Sequence, residues 1–487
     1  MGKTRPRLVF IGLDAADETL ISQRVSEHSL PTFRSVLTGA TATRIRNPAG
    51  LYVGALWPTF FTGASPASHG RYCWKQLRGG SYEDEFTQIE QIRGEPVWLA
   101  AEEAGWRTAV IDVPKSLPSP HFRGPFLKDW GVHDPSRGGF QAQGWLTASE
   151  IRTRYGYDHV GRCDAIQRTA QGFLKLRDQL CERAAARARM IGDLVTTEGC
   201  EVVFAVFSEA HCAGHQLWHL HDASHEQFDP TLRAIVGDPL LDVYSALDDA
   251  LATVLGRLDR DDTVVLLASH GMGAHYNGVE TLPALTAMID SQLAGNAIGS
   301  TAPSPHLLSM DARPFRSQLR IFPVPNNGAY AAFRMNLLGR EPNGRLHPND
   351  AESFLSKFTA VLLGLRERTS RTPIFRSSIR PREIFDGPLA TQLPDLLLEW
   401  NRENPIHEIV TPWGVLENSD GNNPRTGDHN PEGMMWVMGP RQQDHLHPSS
   451  LELSELKGYI LQLLYMNSAD GRLEPVQDTK QGSRDHE

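Results

Sequence analysis

Three stretches carry runs of aliphatic and aromatic residues: Arg7–Asp14, Glu201–Phe207 and the first half of Thr263–Gly278. Runs of aliphatic and β-branched residues that do not alternate predict strands buried on both faces, as in a parallel sheet sandwiched by helices. Between these runs the apolar period changes to that of a helix. From Asp164 to Thr197 it picks out Phe173, Leu174, Leu180, Ala184, Ala188, Ile191 and Leu194, which predicts one long amphipathic helix leading into the strand at 202–207. Asp242–Leu258 leads in the same way into the strand at 263. Pro96–Gly105 leads into a shorter strand at Thr108–Pro114. Helices alternating with buried strands are βαβ units. The expected fold class is therefore α/β, a doubly wound and mostly parallel sheet with helices on both faces. Gly50–Gly70 reads as a loop entering a buried helix, with turns at Thr62-Gly63 and His69-Gly70.

The rhythm breaks twice. Residues 115–160 and 280–375 are rich in Pro, Gly, His and Arg and are expected to form an inserted cap over the active face, with short strands between Arg320 and Asn336. The expected core is then 1–114, 161–279 and 376–467. It includes a return strand at Pro394–Trp400, a loop carrying His429 ahead of an apolar strand, and a last helix from Ser454 to Tyr465. A polar tail, 468–487, follows.

Composition adds limits. A length of 487 residues suits one large α/β domain with insertions, and 40% hydrophobic with 22% charged residues is ordinary for a globular chain. A net charge of -10 argues against a nucleic-acid or anionic-membrane surface and leaves a small anionic substrate, with self-association into a homo-oligomer open. Met1–Arg7 lacks a signal-peptide core behind it, and no apolar run approaches the ~20 residues of a membrane span. Five cysteines without a Cys-x-x-Cys spacing favour a reducing, cytoplasmic setting and no thiolate metal site.

Candidate chemistry gathers where the strands end, the place where open α/β sheets bind ligands. Asp14 closes the first strand, as a metal or phosphate position or as a helix N-cap. After the second strand come His211 and His215, four apart and so on one face of a helix, as a metal pair or as ordinary polar positions. His219, His221 and His225 follow. After the third strand come His270 and His275.

These features occur in the order of a known family. Strand-Asp14, Thr62-Gly63…His69-Gly70, His211…His215, Ser269-His270-Gly, Gly339-Arg-Glu-Pro342 and His429-x-Pro-Glu-Gly433 together resemble the type I phosphodiesterase/nucleotide pyrophosphatase branch of the alkaline phosphatase superfamily. The resemblance implies two divalent metals, usually zinc. One is held by an Asp and two His, matched here by His215 and His429. The other is held by the first-strand Asp, a Thr or Ser nucleophile and an Asp-His pair, matched by Asp14 and His270. The departures are as informative. His211 stands where the family has a ligand Asp, Ser269 replaces the Asp of Asp-His-Gly, and the nucleophile position falls on Val53, which has no oxygen to offer. Tyr52 and Thr59 are the nearest hydroxyls, with Thr59 expected inside the buried helix. A site of neutral imidazoles suits zinc, iron, copper or nickel better than magnesium or calcium, and zinc is the first expectation, with iron or manganese as alternatives. The expected geometry is one ion on His211, His215 and His429, with a weaker partner at Asp14, His270 and His275. Asp14 and His270 are the expected catalytic residues. Arg71 and Lys75 are either anion-binding groups or solvent-facing charges. The expected function is hydrolysis of a phosphodiester or related ester by a metal-activated water. The alternatives are non-hydrolytic metal chemistry, with iron, or a non-catalytic binding protein.

Overall fold

A computed structural model describes residues 5–86, 88–136, 138–295, 312–418, 424–440 and 447–467. The expected polar tail, 468–487, lies outside the described residues. The strands that position the site, in chain order, are β1 (Leu8–Leu13), β2 (Thr41–Arg46), β3 (Thr108–Ile111), β4 (Phe126–Lys128), β5 (Gln141–Gln143), β6 (Val202–Phe207), β7 (Thr263–Ala268) and β8 (Gly271–Ala274). They continue with β9 (Ile321–Val324), β10 (Tyr330–Met335), β11 (Phe375–Ile379), β12 (Leu396–Trp400), β13 (Gly427–Asn430), β14 (Glu432–Met438) and β15 (Ser450–Glu452). The main helices are α1 (Tyr52–Thr62), α2 (Ala170–Thr196), α3 (Glu209–His221), α4 (Pro239–Leu255) and α5 (Leu456–Asn467).

Nine of these strands form the central sheet in the order β15-β2-β14-β7-β1-β6-β3-β4-β5. The five from β7 to β4 are mutually parallel, while β14 and β5 run antiparallel to their inner neighbours. The unbroken apolar runs are explained by the two faces. Val9, Ile11 and Leu13 of β1 pack into the core built with α2 and α4. Leu8 and Phe10 pack into the opposite core with α1 and α5. Phe10 stacks on Phe60 of α1 at 4.5 Å between ring centroids. Each large side chain buried in this way contributes roughly 1.5–3 kcal/mol, which is what fixes both helical layers to the sheet.

Some elements differ from expectation. The helix read from 164 begins at Ala170, because Thr169 accepts a hydrogen bond from Gly172 N and starts it there. Residues 126–128 and 141–143, within the stretch expected as cap, add β4 and β5 to the edge of the central sheet. Strand β12, expected as a core return strand, sits in a separate four-stranded antiparallel sheet of order β9-β10-β12-β11. That sheet has its own apolar core, including Ile321, Phe333, Leu398 and Phe358. His429 lies on strand β13, paired antiparallel with β8, and not on a loop. No helix among the described residues is long and apolar enough to cross a membrane.

Register sets the site. Leu13 lies opposite both Phe207 and Ala268, so Asp14, Ser208 and Ser269 emerge side by side at the carboxyl edge. The same edge carries left-handed backbone at four non-glycine positions: Ala15 (φ 55°), Asp112 (φ 50°), Lys115 (φ 62°) and Asp129 (φ 59°). Strained conformations of this kind are retained where the surroundings hold them in place.

Candidate metal centre

Helix α3 starts directly after β6 and brings His211 and His215 out one turn apart. Each ring is tied at Nδ1. His211 Nδ1 donates to Asp14 Oδ2 at 2.6 Å, and His215 Nδ1 donates to the carbonyl of Gly427 at 2.7 Å. A neutral ring whose proton is held at Nδ1 presents its lone pair at Nε2. Both Nε2 atoms point at each other 3.1 Å apart. Two lone pairs at that distance repel unless a cation lies between or beside them, and Arg425 Nη1 stands 3.2 Å from His215 Nε2. Two nitrogens on one tetrahedral zinc stand about 3.3 Å apart, given Zn–N bonds of ~2.0–2.1 Å. The pair therefore has the bite a metal needs.

Three more rings close the cluster. His429 on β13 lies 4.7 Å from both His211 and His215, with its plane nearly perpendicular to theirs. His270, just beyond β7, has Nδ1 2.9 Å from Ser269 Oγ and Nε2 3.0 Å from His429 Nδ1. His133 stacks on His211 at 3.8 Å and 17°. His133, His211 and His215 also have ligand atoms within 4.8 Å of one another. Metal-directed lone pairs lie in the ring plane, however. One ion cannot lie in two nearly parallel planes 3.8 Å apart, so the stacked pair is a poor chelate. His429 approaches with its ring perpendicular to theirs, although among the described residues only His133 joins His211 and His215 with all ligand atoms within 4.8 Å.

Burial keeps these groups ready for a metal. Loss of solvation, with neighbouring positive charge, holds His215 and His429 well below the usual histidine range and brings His270 down to about 3. They are therefore neutral at pH 7. Burial works to raise Asp14, but His211, His270 and the Trp57 N–H (2.9 Å to Oδ1) outweigh it and keep the carboxyl ionised. Both Asp14 oxygens are thus engaged. The role this geometry supports is to orient His211, as a carboxylate behind a ligand histidine does. The helix N-cap next to it is Asp17, which accepts from Leu20 N.

Beneath the cluster, Glu209 in the first turn of α3 receives Arg183 at 2.8 Å and Arg187 at 2.5 Å, and Arg187 also reaches Asp112 at 2.8 Å. Arg187 is fully buried. This ion network anchors the start of α3, and hence His211.

The structure brings Asp14, His211, His215, His270 and His429 together. His275 stands behind them, with Nδ1 3.1 Å from Asp428 Oδ2. His275 outweighs the upward effect of burial on Asp428 and holds it at about 2. Arg71 is buried, and burial lowers it to about 10, so it is not a solvent-facing charge. Lys75 lies on an outlying hairpin with Nζ 6.0 Å above the Phe86 ring. Val53 is in the first turn of α1. Thr59 is buried and bonded to His69 Nε2 at 3.0 Å, and Tyr52 gives its hydroxyl to the carbonyl of His429 at 2.9 Å.

The sequence reading did not pick out three groups. Lys115 Nζ donates to the carbonyl of Val53 at 2.9 Å, and its charge acts on His270 while those of Arg71 and Asp14 act on it. Arg425 Nη1 lies 3.2 Å from His215 Nε2 and pairs with Asp164 at 2.7 Å. His133 is the third. Each follows a short strand or irregular stretch with no period to mark it.

The chain matches the family described as type I phosphodiesterase / nucleotide pyrophosphatase over residues 8–403. No curated protein matches the sequence. Among solved structures it is similar to murine ectonucleotide pyrophosphatase / phosphodiesterase 5, an inactive form in complex with AMP, with a TM-score of 0.50 and 10% identity over 94% of this chain and 95% of that chain. It is also similar to phosphonoacetate hydrolase from Sinorhizobium meliloti 1021 in complex with phosphonoacetate, with a TM-score of 0.49 and 13% identity over 94% and 96%. At such identities the likeness concerns the fold.

Proposed function

Starting from the fact that this chain belongs to the type I phosphodiesterase/nucleotide pyrophosphatase family, we propose that it is a metal-dependent hydrolase of a phosphodiester or related phosphate ester that works without a covalent enzyme intermediate. The observation that carries this reading is the pair of Nε2 atoms on His211 and His215, converging at 3.1 Å with each ring already tied at Nδ1. His211, His215 and His429 would hold a divalent transition ion, zinc in the first place, with His270 as an adjoining ligand. Such an ion supplies Lewis acidity, lowering the pKa of water towards about 7 and drawing charge from phosphoryl oxygens. Asp14 keeps the proton of His211 at Nδ1, and the carbonyl of Gly427 does the same for His215.

The chain's own cations bind the substrate. Lys115, brought by burial to about 8, stays largely protonated at pH 7, and its ammonium stands beside the start of α1. Together with Arg71 it offers a positive wall to an anionic ester. Val53 leaves no hydroxyl at the family's nucleophile position, so the attacking oxygen comes from water.

The test is hydrolysis of bis(4-nitrophenyl) phosphate, followed by the stereochemistry at phosphorus with a chiral phosphorothioate diester. Chelator-sensitive turnover with inversion is expected. Retention of configuration would mean a covalent intermediate and overturn the mechanism. Bound metal with no turnover on a panel of phosphate and phosphonate esters would favour a binding protein.

A further inference from the structure

Next to the imidazole cluster lies a second group of metal-type donors, of different chemistry and outside the proposed hydrolytic site. Cys163, in a short 3-10 turn, and Cys212, on α3, both approach the far side of His133. The Nδ1 of His133 is 3.3 Å from Cys163 Sγ and 3.4 Å from Cys212 Sγ. All three donor atoms lie within 4.8 Å of one another, and all three residues are buried. We propose that Cys163, Cys212 and His133 form a separate thiolate-bearing site for a thiophilic divalent ion of the zinc class.

Three observations support it. A single ring nitrogen has one in-plane position for a proton or a lone pair, so Nδ1 bonds one sulfur at most, and the two sulfurs also bond each other. An ion between the three donors satisfies all of them. The distances also fit, since sulfur and nitrogen on one tetrahedral zinc stand about 3.6 Å apart, given bonds of ~2.3 and ~2.0–2.1 Å. Lastly, Arg183 Nη2 lies 3.6 Å from Cys212 Sγ and brings a buried positive charge to a sulfur that must bind as thiolate. Binding would release one proton from each thiol, and nothing is oxidised.

The sequence arrangement has a structural consequence. His211 and Cys212 are neighbours on α3, one facing the imidazole cluster and the other the thiol pair. An ion on the thiol side ties two distant stretches of chain, at 133 and 163, to Cys212 on the helix that carries the proposed hydrolytic ligands. It also holds His133 in its stack on His211.

The experiment is a cadmium titration of the full-length, reduced, metal-free protein, read by thiolate-to-cadmium charge-transfer absorption. One equivalent with the intensity of two thiolates is expected. The band should be lost in Cys163→Ser/Cys212→Ser and kept in His211→Ala/His215→Ala, so failure of this site and failure of the hydrolytic site are separable. No band in the wild-type protein, with both thiols still free to Ellman's reagent, would overturn the proposal without recourse to any variant. A band that survives the double cysteine change would assign the thiolates elsewhere and also overturn it, as would a Cys163–Cys212 disulfide in protein kept under reductant.

Discussion

At the scale of single residues, the candidate site is a matter of which nitrogen of each histidine is left over. Asp14 and the Gly427 carbonyl accept hydrogen bonds from the Nδ1 atoms of His211 and His215, so the two Nε2 atoms are turned towards one another. Tyr52 and Thr59, the hydroxyls nearest the family's nucleophile position, are committed elsewhere. Thr59→Ala is expected to keep metal content and turnover within about twofold while costing roughly 1–2 kcal/mol through its lost bond to His69. Thermal unfolding and initial rates measure both, and loss of turnover with metal retained would restore a hydroxyl nucleophile. Lys115 makes the opposite case. Lys115→Met should raise KM for a phosphodiester about 10-fold or more, the worth of one charge-assisted hydrogen bond, with metal content unchanged. A KM within twofold of wild type would remove Lys115 from the substrate site.

At the scale of elements, α3 and β13 make a close backbone contact in the site. A Cβ on Gly427 would stand 2.2 Å from the carbonyl of Gly214, so a side chain there forces strand and helix apart. Gly427→Ala is therefore expected to break the His215–Gly427 hydrogen bond and weaken metal binding about 10–100-fold, the usual effect of losing a partner behind a ligand. Chelator competition would measure this, and unchanged affinity would show that the Gly427 carbonyl does not orient His215. Elements with a strong period could be read from the sequence alone. Strands β1, β6 and β7 show as unbroken apolar runs because both of their faces are covered, and α2 and α4 show through their 3.6-residue spacing. Asp14, His211, His215, His270 and His429 were legible because they follow such elements or sit in a family motif. Short elements were not. Strand β4 has three residues and β13 reads Gly-Asp-His-Asn, so their pairing depends on partners far along the chain. His133 and Lys115 follow strands too short to show a period, and the roles of Asp14 and Arg425 depend on side chains that only the fold brings near.

At the scale of the whole molecule, the buried histidines link stability to pH. Burial lowers His69 and His219 from 6.5 to about 3. Unfolding frees them to take up protons below pH 6.5, so the unfolded state binds more protons across that window. Their contribution is complete above pH 6.5 and is lost as pH falls towards 3. Metal-free protein should therefore lose denaturation temperature steadily from pH 6.5 to 4, with a smaller loss in His69→Gln, and a flat profile would contradict the burial of these rings. The nine-stranded sheet brings three strand ends level, so that Asp14 after β1, His211 and His215 after β6, and His270 after β7 meet. The measurement that tests this most directly is metal per chain, by mass spectrometry, on untagged protein purified without chelator, for the wild type and His211→Ala/His215→Ala. With the thiol site blocked by Cys163→Ser/Cys212→Ser in both, the account predicts at least one transition-metal ion per chain in the first and close to none in the second. Equal metal in the two, or none in either after reconstitution with zinc, manganese or iron, would contradict it.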